Sequence, residues 1–218
     1  VKEHPILFTG PMVRAILEGR KTQTRRPIKP QPPYEFRKLL GVTTAGFLWS
    51  NMAHANPYEP ECLHEIKRPY AVGDRLWVRE TWCQQADSLT ERLIAGKAHY
   101  AADGYEVHDV DGLERSPWRP SIHMPRWASR ITLEVTGIRP ERIQSISEVG
   151  AKAEGVEKGM TAVEIIDRTA GLPRRASYRS GFELLWDSIY GSTAFAHGPL
   201  EWESNPWVWA TTFKVVTP

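Results

Sequence analysis

Four cations and two hydroxyls fall within eight residues at Gly19-Arg20-Lys21-Thr22-Gln23-Thr24-Arg25-Arg26. A cluster of that density suits two kinds of chemistry: holding something anionic or polar, or keeping Lys21 partly deprotonated. Thr24 is a weak nucleophile unless a base lies within hydrogen-bond reach, and Lys21 can be that base only with a neutral amine. Neutrality means drawing its pKa from ~10.4 towards ~7–8, which corresponds to about 4 kcal/mol of differential interaction. Partial burial and the charges of Arg20, Arg25 and Arg26 push in that direction, whereas a carboxylate contact pushes the other way. In the second case Lys21 stays charged and serves as an oxyanion donor. The competing interpretation is a solvated basic strand start, in which Thr24 is present only as a good β-former.

A carboxylate is the missing part. Glu80 alternates with Leu76 and Val78, so it points where the apolar residues point. A buried glutamate needs a partner, and Lys21 or Arg26 would serve. Trp82 shares that face and could stack on a base; of the nine tryptophans, most must be scaffold. His54, Cys62 and His64 have irregular spacing that matches no metal pattern, so neither a metal nor a cofactor is expected. His123, between Ile122 and Met124, reads as a core histidine. No Walker loop or dinucleotide-binding glycine fingerprint is present.

The elements that must position these groups are short. Ile6-Leu7-Phe8 reads as a strand, and Thr9 caps a helix with Pro11 in its first turn. Met12, Val13, Ile16 and Leu17 form the apolar face of that helix, and Gly19 ends it where a left-handed residue is wanted. The cationic segment then leaves a helix C-terminus, whose dipole favours cations, and runs on as a strand stopped by Pro27 and Pro30. Residues 27–70 lack a sustained period and read as an insertion with little regular structure, and 84–117 as a polar, acidic insertion. Between and beyond them, residues 74–82, 130–136 and 207–216 alternate as strands. Ser145-Ile-Ser-Glu148 reads as a capping box for a helix ended by Gly155, and Thr161-Ala-Val-Glu164 as the start of another. Phe182, Leu185, Trp186 and Ile189 have the spacing of a core-facing helix. Strands at both ends with short helices between them predict one α+β domain over 1–218, a small barrel closed by joining its first and last strands.

The stretch Gly19-Arg-Lys-Thr-Gln-Thr-Arg-Arg26 resembles the signature of the ASCH domain, a small β-barrel related to the PUA RNA-binding fold. It is especially similar to the branch of bacterial amidohydrolases acting on N4-acetylcytidine, in which a lysine, a threonine three residues later and a downstream glutamate are catalytic. Lys21 and Thr24 match directly. The glutamate of that family lies on a short helix after a barrel strand, which implies Glu154 within Ser147–Gly155. The resemblance covers residues 5–27, 70–82, 129–156 and 205–216. The two insertions depart from small family members, and Arg79-Glu-Thr-Trp82 with Pro125-Arg-Trp127 is similar to longer phage and prophage ASCH proteins. It implies a modified nucleoside or nucleobase as substrate. Thr24 would be the nucleophile, Lys21 its activator and Glu154 the acid/base group. Arg26 would position the substrate or oxyanion, and Glu80 and Trp82 would line the pocket. Alternatively Lys21 donates to the oxyanion and Glu154 is the general base.

Bulk properties narrow the function classes. The chain of 218 residues carries a formal net charge of only +2, so it is no polycation. The charge is uneven: residues 1–40 hold nine Lys/Arg against three Glu, and 84–115 hold seven acids against three bases. That favours a local anion site over a long nucleic-acid groove, although an RNA-binding module or ribonuclease of PUA type is the alternative function. Two cysteines make no disulfide framework, no apolar run is long enough to span a bilayer, and no signal-peptide pattern is seen. A cytoplasmic protein with no membrane partner is expected.

Overall fold

A computed structural model describes residues 1–32, 36–42, 46–51, 63–86, 93–104, 118–159, 176–191 and 200–216. In chain order the main elements are β1 (Glu3–Leu7), α1 (Gly10–Leu17), β2 (Gln23–Pro27), β3 (Phe36–Val42), β4 (Gly46–Asn51), β5 (Leu63–Lys67), β6 (Arg75–Arg79), β7 (Trp82–Ala86), β8 (Leu93–Tyr100), β9 (Thr132–Arg142), α2 (Glu148–Ala153), α3 (Tyr178–Tyr190) and β10 (Trp207–Val216). Among the described residues strands dominate and helices are few and short, an α+β content. It divides into two compact units, 1–22 with 73–136 and 213–218, and 23–72 with 137–212.

In the first unit β1 runs parallel to β6, with Glu3 opposite Arg75 and Leu7 opposite Arg79. On its other side β6 pairs antiparallel with β9, Leu76 facing Leu133. The predicted alternation of β6 is present: Leu76, Val78 and the following Glu80 are buried, while Arg75 and Thr81 are exposed. Val13, Ala15 and Ile16 bury the inner face of α1, but Leu17 falls on its outer face, 52% exposed. Gly19 ends the helix with φ 72°, a conformation that costs glycine no Cβ clash. β7 and β8 form an antiparallel hairpin, so the segment read as an acidic insertion begins with regular structure.

In the second unit β10 pairs antiparallel with β2, from Val208 opposite Pro27 to Thr212 opposite Gln23. A separate antiparallel sheet, β3-β4-β5, corrects the expectation of little regular structure over 27–70. β3 escapes a periodicity reading because its register on β4 shifts twice, between Phe36 and Lys38 and between Leu39 and Gly41. Phe182 and Trp186 of α3 pack with Ile143, Ile146, Ala151, Trp202 and Val208. A smaller cluster joins Ile28, Phe47 and Trp209.

Two further expectations are corrected. Ser147, not Ser145, caps α2, accepting from the Gly150 N–H, while Ser145 closes a single 3-10 turn. The expected joining of first and last strands is not observed among the described residues: β1 neighbours β6, whereas β10 lies between β9 and β2. The helix expected from Thr161 lies outside the described residues. No helix of the described residues is long and apolar enough to cross a membrane.

Candidate active site

Lys21 belongs to the first unit and is set by the exit from α1. The N–H groups of Arg20 and Lys21 both donate to the Ala15 carbonyl, at 2.8 and 2.9 Å, and the Thr22 carbonyl accepts from Phe213 N–H at 3.0 Å. Residues on both sides of its Cα are thereby pinned. The Lys21 side chain is 1% exposed, with Nζ 5.4 Å from the centroid of the Phe8 ring. It is far from the solvated cation that a surface strand start would present.

Thr24, Arg25, Arg26 and Glu154 belong to the second unit. Thr24 lies opposite Thr211 of β10, and both are buried. Arg26, opposite Trp209, is half-buried. The half-buried Tyr70 belongs to the same neighbourhood: burial pushes its phenol pKa up and the Arg26 charge opposes that. Glu154 occupies the C-cap of α2, its N–H donating to the carbonyls of Gly150 and Ala151, each at 3.1 Å. Gly155 follows with φ 78°, so the helix stops there and the Glu154 side chain turns inward, 3% exposed.

Sequence reasoning passed over the residue that holds this carboxylate. Arg25 Nη1 donates to Glu154 Oε1 at 2.9 Å, and Arg25 Nε donates to Glu141 Oε1 at 2.6 Å. The other Glu141 oxygen accepts from Arg139 Nε at 2.9 Å. Charges therefore alternate along Arg139–Glu141–Arg25–Glu154, from an arginine 50% exposed to a glutamate that is buried. The alternating pattern of β2 draws attention to Thr24 and Arg26, and nothing local to Arg25 announces partners more than a hundred residues away.

Glu80 is buried as expected, but neither Lys21 nor Arg26 partners it. Arg130 Nε and Nη2 grip its two oxygens at 3.0 Å each, while Nη1 and Nη2 grip Asp103 at 2.8 and 2.7 Å. The guanidinium lies 3.9 Å from the Tyr100 ring centroid, and the Tyr100 hydroxyl donates to the Ala128 carbonyl at 2.9 Å. Burial raises the Glu80 carboxyl above its ordinary pKa, and the Arg130 hydrogen bonds only partly offset that. Trp82 is also covered, packed with Met124 and Ala128 and meeting Trp127 edge-on at 5.5 Å. The ring offered to solvent here is Trp127, 49% exposed.

His123 is exposed, which corrects its reading as a core histidine: the one-turn segment Ser121–His123 buries no side chain. Among the described residues no three His, Cys, Asp or Glu side chains come together to hold a metal ion. His54 and Cys62 lie outside the described residues. No family model matches this chain, and neither a curated protein nor a solved structure matches it.

Proposed function

We propose that the chain is a cytoplasmic amidohydrolase of the ASCH, PUA-like kind that removes the acyl group from N4-acylated cytidine or cytosine without a metal. One observation carries the reading. The three side chains that the Gly19–Arg26 resemblance singles out are all withdrawn from water: Lys21 is 1%, Thr24 4% and Glu154 3% exposed. A lysine after a helix and a glutamate at a helix end are exposed when their role is only solvation. Burying them costs desolvation that ordinary packing does not require, and such groups concentrate at functional sites.

In this reading the Thr24 hydroxyl attacks the amide carbonyl and the cytosine N4 leaves as the amine. Water then hydrolyses the Thr24 ester to release the carboxylate. Lys21 activates the hydroxyl, Glu154 supplies the proton that N4 takes up, and Arg26 positions substrate as a fixed cation. The test is release of cytidine and acetate from N4-acetylcytidine by purified protein, followed by chromatography. Lys21→Ala is expected to abolish release while circular dichroism stays unchanged. No release across a panel of N4-acylcytidines would contradict the proposal.

A PUA-like nucleic-acid-binding role, ribonuclease activity included, is the second reading, and a different surface favours it. On the outward side of β6, Arg79 and Arg126 lie 5.4 and 5.9 Å from the Trp77 ring centroid, near the exposed Trp127. Guanidinium groups interleaved with rings suit phosphate and base stacking. Glu3 accepts from Arg126 Nε at 2.9 Å, and Glu134 lies opposite Arg75, so carboxylates reduce the charge of that face. Oligonucleotide binding that weakens steeply with salt, without nucleoside turnover, would favour this reading over the first.

A further inference from the structure

Arg25 has no part in the reaction above, yet its side chain is 1% exposed and its surroundings are shaped to it. Its Nε is fixed by Glu141, and Glu141 is fixed in turn by Arg139. The Phe182 ring lies 6.0 Å from the guanidinium carbon. Gly150 of α2 leaves the room that Nη2 occupies, since a Cβ there would lie 3.1 Å from that nitrogen. A strand residue is thereby carried to the end of α2, where Nη1 meets a single oxygen of Glu154.

We propose that Arg25 is a positioning residue that orients the Glu154 carboxylate for proton transfer. This rests on the hydrolase reading. A guanidinium is planar, so fixing Nε through Glu141 also fixes the direction of the Nη1–H bond. That direction sets the place of Oε1. Arg25 touches neither the acyl group nor the base in this scheme. Its loss therefore lowers turnover rather than substrate affinity, because it disturbs a group needed only as the proton moves.

The experiment is steady-state kinetics on N4-acetylcytidine with Arg25→Lys and Glu141→Gln, each made alone and again together with Glu154→Gln. Arg25→Lys is expected to lower kcat about 10- to 100-fold, and the milder Glu141→Gln about three- to tenfold. KM should stay within about twofold in both. In the Glu154→Gln background neither change should lower kcat further, because the group through which both act is gone. A merely structural arginine gives the opposite pattern: losses that persist in that background, or a rise in KM. Either result, or full kcat in Arg25→Lys, would overturn the assignment while leaving the hydrolase reading intact. No turnover by the unmodified protein would overturn both.

Discussion

Each unit holds an arginine between two carboxylates, and the two clusters use the same chemistry differently. Arg130 grips Glu80 and Asp103 with a two-point fork on each, and it reaches solvent, at 25% side-chain exposure beside an Asp103 that is 46% exposed. Both oxygens of Glu80 are engaged by one guanidinium, which clasps this residue just after β6 to Asp103 just after β8. Arg25 is 1% exposed and meets Glu141 and Glu154 at one oxygen each. A buried arginine–glutamate pair is therefore not diagnostic of function by itself. Burial separates the two clusters: one ends at a half-exposed Asp103, the other at a buried Glu154.

The largest expected effect on stability comes from removing the more deeply buried cation. Arg25→Met removes the cation between Glu154 and Glu141, and is expected to cost about 3–5 kcal/mol in urea unfolding. Arg130→Met should cost less, about 2–3 kcal/mol, because Asp103 can turn to water. Equal losses, or a larger one at Arg130, would break the distinction drawn from burial.

The sequence carried much of the frame but little of this contrast. β10 appears over the residues its alternation predicts, and the inward direction of Glu80 followed from Leu76 and Val78. Buried alternation is a local property, so it is readable along one strand. The partners of Glu80 and Glu154 are set by which strands lie side by side, and no periodicity contains that. Arg25 illustrates the limit: its two carboxylates lie 116 and 129 residues further along the chain. In the β3-β4-β5 sheet, β3 is illegible for a local reason, since its two register shifts erase the two-residue period on which a strand reading depends.

A pH titration sharpens the comparison from the clasp side. The Glu80 carboxyl is raised by burial above the ordinary value of 4.5, so the folded state holds its proton more tightly than the unfolded chain. Its contribution is full below that ordinary value and fades as pH rises through the folded-state value. The stability of the unmodified protein relative to Glu80→Gln should therefore fall as pH increases from about 4.5. A difference that grows with pH would show that Arg130 outweighs burial there. The smallest effect is expected at the solvent end of the other chain of charges. Arg139→Ala removes an exposed pair with Glu141 and should change stability by about 0.5 kcal/mol or less.

The contrast between the two clusters is tested most directly by neutralising one glutamate in each and measuring turnover of N4-acetylcytidine. Glu154→Gln is expected to lower kcat about 10²- to 10⁴-fold with a retained fold, as loss of an acid/base group does. Glu80→Gln should keep kcat within about threefold, since its carboxylate is committed to Arg130. Full activity in Glu154→Gln, with activity lost in a folded Glu80→Gln, would contradict the assignment of chemistry to the Arg25 cluster.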